Sequence, residues 1–427
     1  MSTVPRLLFG RGSLPLVLPA GCRSTVIEKP AVSVLPDPTA AMTAALAAPV
    51  GCEPLAALAA GARTACILIC DVTRPVPNGL ILPPLVRALL AAGMGARHIT
   101  VLVATGLHRP NLGEELRALV GDDWVLQTVR VENHEAEDDA AHVEVGTTSR
   151  GTRVRLDRRF VEADLKIVTG LVEPHFMAGY SGGRKVVAPG VAHADTIRTF
   201  HNARYMEDPA ARNCHLDGNP LHGDQLEIMG MLGAVHAVNT CLDAERRVTF
   251  ANFGEVVASH EQAVAFMRGS AEVPVARRFR CVITSSAGYP LDQLYYQTIK
   301  GIVGALGILE AGGSLLIASE CAEGLGSASF CRSQAALVEK GIEGFLAEAR
   351  RRELADIDEW TTVKLIEAVR DRRVHLYATG LDASQQRLTA VTCHDDWTAA
   401  VAAVLAESNA DEIGVIPEGP YVIPFAK

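Results

Sequence analysis

Short apolar runs that end in polar turns recur along this chain, and no other feature restricts its fold as much. Ala65–Ile69 runs into Asp71-Val72-Thr73-Arg74-Pro75 and then the apolar-periodic stretch Leu80–Ala92. Ile99–Ala104 runs into Thr105-Gly106-Leu107-His108-Arg109-Pro110. Leu165–Thr169 precedes Glu173–His201, which packs His175, Lys185, His193 and His201 around Gly182-Gly183. The cycle restarts near Arg278, with Cys281–Thr284, Ser314–Ala318, Val374–Ala378 and Ile413–Ile416 as strand-like runs. Strands alternating with helices imply mainly parallel sheets covered on both faces, whose chemistry sits beyond the strands' carboxyl ends. The expected fold class is therefore α/β, with two doubly wound domains and an active-site cleft between them. Arg268–Arg278, rich in small and charged residues, marks the boundary, giving an N-terminal domain over 1-272 and a C-terminal domain over 273-427.

A length of 427 residues fits two cores better than one. A net charge of −9 argues against a broad nucleic-acid surface. No apolar run is long enough to span a bilayer. The apolar N-terminus is broken by Gly, Pro and Arg, and reads as a hairpin of Leu7–Phe9 and Leu14–Leu18 around Gly10-Arg11-Gly12 rather than a signal peptide. A cytoplasmic protein is expected. The 10 cysteines are scattered without a C-x-x-C pair, so they read as buried thiols and not as a zinc site.

Several residues carry chemistry in this arrangement. Asp71, Thr73 and Arg74 follow the first strand, where they either hold an anion or cap the next helix. His108 lies beyond a glycine turn and is suited to acid–base work, or is a surface loop residue. His175 occupies the equivalent place after the third strand, so two imidazoles are available to face one small substrate from opposite sides. Ser181-Gly182-Gly183-Arg184-Lys185 resembles a phosphate loop, but lacks the P-loop spacing and has Val186 where Ser or Thr would bind magnesium. Lys185 is either a phosphate ligand or, if desolvated, an amine used covalently. His193 and His201 lie eight residues apart around the helix expected over Ala194–Phe200, and either is a possible metal ligand. Gln293, Gln297 and Lys300 form a polar stripe at i, i+4 and i+7 of an apolar helix, with Tyr296 beside them.

Together the strings DVTRPVP (Asp71–Pro77), ATGLHRP (Ala104–Pro110), EPHFMAGYSGGRK (Glu173–Lys185), the segment ending at His201, and GYPLDQLYYQTIKG (Gly288–Gly301) resemble the nickel-dependent lactate racemase family. They run in family order over nearly the whole chain. The resemblance implies a nickel-pincer nucleotide, a pyridinium mononucleotide with thioacid groups, tethered to Lys185 as a thioamide, with His201 as the remaining nickel ligand. It implies His108 and His175 as the acid–base pair. Asp71, Val72, Thr73, Arg74, Val187, Gln297 and Lys300 fall at cofactor-binding positions, and Arg74, Tyr296 and Lys300 at substrate-binding ones. The reaction implied is racemisation or epimerisation of a 2-hydroxycarboxylic acid by proton-coupled hydride transfer through a transient 2-keto acid. It also implies cofactor-synthesis proteins acting upstream.

Members of this family act on different 2-hydroxyacids. Arg198 and Arg204 flank His201, and either meet a second substrate carboxylate, as in malate, or are surface residues. Two rival readings are an NAD-dependent hydroxyacid dehydrogenase, which lacks its G-x-G-x-x-G turn here, and a non-catalytic nucleotide-binding protein.

Overall fold

The computed structural model describes residues 4–426. Two compact units divide it: one comprises Ala31–Phe200 and His215–Gly269, the other the described residues up to Pro30, His201–Cys214, and those from Ser270 onward.

The first unit is built on a six-stranded sheet in the order Val248–Glu255, Val235–Leu242, Leu165–Leu171, Ala65–Cys70, Ile99–Ala104, Arg130–Asn133. All neighbours are parallel except the antiparallel edge pair Val235–Leu242 and Val248–Glu255. Ile67, Leu68, Ile69, Val101, Leu102, Val103, Ile167 and Val168 are fully buried, so consecutive residues on both faces are covered. Each such side chain contributes roughly 1.5–3 kcal/mol on leaving water. The helix Asn78–Ala91 presents Ile81, Leu82, Leu85, Val86 and Leu89 to this core. From the central strand Ala65–Cys70 the chain first fills one side of the sheet, then crosses back to Leu165–Leu171 on the other. The carboxyl ends of these two neighbours therefore flank the topological switch point, where open α/β sheets bind their ligands.

The second unit has an all-parallel sheet ordered Thr392–His394, Arg373–Tyr377, Leu309–Ala318, Phe279–Ser285, Glu412–Ile416, Arg23–Val26. Its switch point lies between Phe279–Ser285 and Glu412–Ile416. The N-terminal hairpin forms as Arg6–Phe9 against Gly12–Pro15. Its second strand stops short of the expected Leu18, at Pro15, which has no N–H to extend a ladder.

The compact units are not simple chain halves. The division at Gly269/Ser270 falls inside the Arg268–Arg278 stretch, but two segments from before residue 272 pack with the later half. Arg23–Val26 pairs with Glu412–Ile416. His201–Cys214 is stapled by the buried Lys364, whose Nζ donates to the carbonyls of Met206 (3.1 Å) and Ala211 (2.6 Å) and contacts Glu367. Arg350 adds a bidentate bond to Glu207 (2.7 and 2.6 Å), and Asn202 Nδ2 donates to Glu353 O (2.9 Å). Lys364→Met removes every ammonium donor and strands these acceptors. It is expected to destabilise the second unit by on the order of 3 kcal/mol, read from the urea unfolding midpoint at unchanged slope.

Candidate active site

Asp71 emerges from the central strand of the first unit and is buried. Its Oδ1 accepts from the Thr73 hydroxyl (2.6 Å) and its Oδ2 lies 2.6 Å from His108 Nδ1. A carboxylate can only accept, so Nδ1 carries a proton, and in the neutral ring Nε2 is the nitrogen with the lone pair. The His108 side chain is 59% exposed against 6% for Asp71, so an accessible imidazole is anchored on a buried carboxylate. Burial by itself would raise the Asp71 carboxyl. The hydrogen bond and positive charge of His108, with Thr73 and Arg74, outweigh this and hold it below the ordinary carboxylate value. Gly106, at φ +55°, makes the turn before His108, and its N–H bonds Gly190 O (2.9 Å). Behind the loop, Asn111 accepts from Val72 N–H (3.3 Å) and exchanges bonds with Asn133 (both 2.9 Å).

Beyond the neighbouring strand, Glu173–Lys185 forms a two-residue-per-strand hairpin, Pro174–His175 against Gly179–Tyr180. Ser181 Oγ donates to Leu171 O (2.7 Å) and accepts from Glu173 N–H (3.1 Å), closing its base. The Gly182-Gly183 turn has φ of +77° and +48°. A Cβ would stand 2.7 Å from Val172 Cγ2 at the first position and 2.9 Å from the His260 ring at the second. The glycines thus serve close packing and a left-handed turn, and the space on their Cβ side is filled by protein and not left for a nucleotide.

His175 is buried, and its Nδ1 accepts from the backbone N–H groups of Met177 (3.3 Å) and Ala178 (3.2 Å). A neutral ring therefore carries its hydrogen on Nε2, the reverse of His108. Arg74 lies 3.4 Å from Glu173. Lys185 is half-buried, and its amine is pushed down to about 7, first by desolvation and then by the positive charge of Arg74. In the free chain Lys185 thus holds its proton up to about 7 when folded and up to 10.5 when unfolded. Between those values the unfolded state binds more protons, so this group's contribution to stability rises with pH. Lys185→Met is expected to flatten that rise, measured as unfolding free energy from pH 7 upward.

Val72 is exposed and Val187 fully buried. His193 is buried beside Arg155 (3.2 Å) with its ring edge against His142, a structural setting. Arg198 is half-buried, and the exposed Arg204 lies over the Tyr205 ring at 5.3 Å.

In the second unit, His201 is buried with its ring 5.1 Å from that of Trp360. Trp360 Nε1 donates to Tyr296 Oη (3.3 Å). Burial raises the Tyr296 hydroxyl above its ordinary value, so it stays a neutral donor. Tyr296, Gln297 and Lys300 share the helix Tyr295–Ala305. Gln293 does not: Leu294 is extended (φ −130°, ψ 139°), so Leu291–Gln293 is a separate turn and the expected three-residue stripe is broken. The Oε1 of Gln297 is buried without a partner among the described residues. Trp360 and Asn111 were not singled out by the sequence. Only the fold brings a tryptophan more than 150 residues away beside His201 (sequence separation about as long as a small domain).

Two imidazoles wired in opposite senses and an amine of lowered proton affinity follow the strands on either side of Ala65–Cys70 at their carboxyl ends, where α/β enzymes place their ligands. Sequence models of the lactate racemase N-terminal and C-terminal domains match residues 9–213 and 276–423. The chain is 31% identical over 384 residues to the lactate racemase of Thermoanaerobacterium thermosaccharolyticum, covering 89% of this chain and 88% of that one. It is 34% identical over 282 residues to the lactate racemase of Lactiplantibacillus plantarum, 66% of each chain. The solved lactate racemase apoprotein of T. thermosaccharolyticum superposes with a TM-score of 0.91 at 28% identity, over 99% of this chain and 100% of that one. A Thermotoga maritima protein shares the fold at 19% identity and a TM-score of 0.65, over 87% of this chain and 96% of that one. The chain belongs to the lactate racemase family and is an isomerase. Among its described residues no helix is long and apolar enough to cross a membrane.

Proposed function

We propose that this enzyme interconverts the enantiomers of a 2-hydroxycarboxylic acid, lactate first, using a nickel-pincer nucleotide. The observation that carries the reading is the opposite wiring of His108 and His175, which follow the two strands on either side of Ala65–Cys70, together with the half-buried amine of Lys185.

The residues present suit the cofactor. Lys185, with its proton held only to about 7, offers an uncharged amine near neutral pH, the form that makes a covalent tether. Arg74, at the end of the turn that begins with Asp71, suits its anionic groups. Gln297 Oε1, a buried acceptor lacking a partner among the described residues, suits a donor on the nucleotide. His201 suits nickel as an imidazole ligand. Val72 and Val187 complete the cofactor set assigned by resemblance. When bound, the cofactor supplies a two-electron acceptor that takes the substrate's α-hydrogen and returns it to either face.

The chain's own groups do the rest. His108 Nε2 takes the hydroxyl proton of one enantiomer while the carbon–hydrogen bond breaks, leaving a transient 2-keto acid. His175 Nε2–H returns a proton to oxygen when the opposite face is restored, and the roles exchange in the reverse direction. Arg74 suits the substrate carboxylate while the keto acid turns, and the resemblance assigns Tyr296 and Lys300 to substrate as well.

A chiral assay of cofactor-loaded enzyme against single enantiomers of lactate, malate, phenyllactate and gluconate tests the reading. One acid is expected to drift to its equilibrium mixture; unchanged composition for all four would overturn the reading for these substrates.

A further inference from the structure

We propose that Arg184 is a positioning residue: through the backbone of Ala178 it sets the orientation of the His175 imidazole, and it fixes the turn from which Lys185 projects. The inference rests on the roles assigned above to His175 and Lys185.

Arg184 is the largest fully buried side chain in the structure, 1% exposed. A guanidinium so deeply placed usually faces a carboxylate, because an unpaired charge costs several kcal/mol to bury. Here, among the described residues, no Asp or Glu pairs with it, and burial alone pushes it down to about 9. Its fork instead reaches in three directions. Nε donates to His222 Nδ1 (2.6 Å). Nη1 lies 3.0 Å from His260 Nε2, which is itself 2.8 Å from Ser181 O. Nη2 donates to the carbonyls of Ala178 (3.1 Å) and Tyr180 (3.4 Å).

Those two carbonyls flank Gly179, the residue paired with His175 across the hairpin. Ala178 is therefore gripped twice. Its C=O accepts from Arg184 while its N–H donates to His175 Nδ1. That second bond selects the ring tautomer with hydrogen on Nε2, the atom assigned to proton transfer. Gly179 admits no side chain, since its φ is +76° and a Cβ there would stand 2.5 Å from His215 O. Arg184 also opens the short helix Arg184–Val187, so the anchor that fixes the hairpin fixes the start of the Lys185 turn. Its charge joins desolvation and Arg74 in disfavouring protonated Lys185. Both imidazoles beside the guanidinium are kept neutral by burial and by its charge: His222, which accepts from Nε, falls to about 3, and His260, whose Nε2–H donates to Ser181 O, falls well below its usual value.

A lysine would retain the charge but not the planar fork, which separates positioning from electrostatics. The test uses Arg184→Met and Arg184→Lys chains with 15N-labelled histidine, read by imidazole NMR, alongside kcat and KM of the cofactor-loaded enzymes. Wild type is expected to show His175 as the single Nε2–H tautomer. Both variants are expected to show His175 mixed or shifted, His108 unchanged, kcat down at least about tenfold and KM within about threefold. If Arg184→Met does not fold, His222→Ala, which frees the Nε arm only, is expected to shift His175 in the same sense. A folded Arg184→Met chain whose His175 signals match wild type would overturn the proposal. The NMR arm is read on unloaded protein, so it decides the role of Arg184 even if the wild-type holoenzyme racemises nothing.

Discussion

Lys185→Met is expected to give a folded chain that gains no covalent cofactor mass and racemises at the background rate. The methionine side chain matches the lysine stem in length and hydrophobicity, so the packing around the turn is kept while the one atom that can form the tether is lost. The wild-type amine is suited to that bond because it sits half-buried beside Arg74 and Arg184, which disfavour its charged form. Without the tether, nickel bound through His201 alone has one protein imidazole to hold it. Intact-mass measurement and nickel content, taken on protein from a host that makes the cofactor, check both parts. A variant that keeps the added mass, or keeps full turnover without it, contradicts the assignment.

His108→Ala and His175→Ala are each expected to lower kcat by about 10²–10⁴ in both directions, since each direction uses one imidazole as base and the other as acid. The two losses differ in what can modulate them. His108 is backed by the Asp71 carboxylate at 2.6 Å, so Asp71→Asn reproduces much of the His108 defect by releasing the ring tautomer. His175 Nδ1 is set by the backbone N–H groups of Met177 and Ala178. Asp71→Asn should therefore leave its NMR signature unchanged. Chiral progress curves started from each enantiomer separate these effects, and retained racemisation in both alanine variants would remove the two-imidazole mechanism.

The strand ends were legible because they rest on local pattern. Ile99–Ala104 is buried at every residue in the structure, and the helix Ala194–Phe200 has the limits the sequence suggests. Leu165–Thr169 proves two residues longer, through Gly170 and Leu171. Gly170 reads as a break in a strand pattern, but here its missing side chain admits the Gly182 backbone, 2.9 Å from where a Cβ would stand. The proposed site residues of the first unit could be picked out for the same reason: they lie in the segments that follow strands marked by the apolar pattern. What was hidden depends on distant contacts. Nothing in the sequence around His201–Cys214 announces that its carbonyls end on Lys364. Nor does spacing reveal the break at Leu294 that removes Gln293 from the helix of Gln297 and Lys300. The opposite tautomers of His108 and His175 follow from hydrogen-bond partners, one a carboxylate and the other two amides, that no residue pattern distinguishes.

The most direct measurement is the enantiomeric composition of lactate over time, starting from the pure L form with cofactor-loaded enzyme and no added nicotinamide. The account predicts decay to an equal mixture with total lactate conserved and one equivalent of nickel bound per chain. Composition that stays at the starting enantiomer with nickel and tether both present, or loss of lactate to a keto acid without formation of the D form, would contradict it.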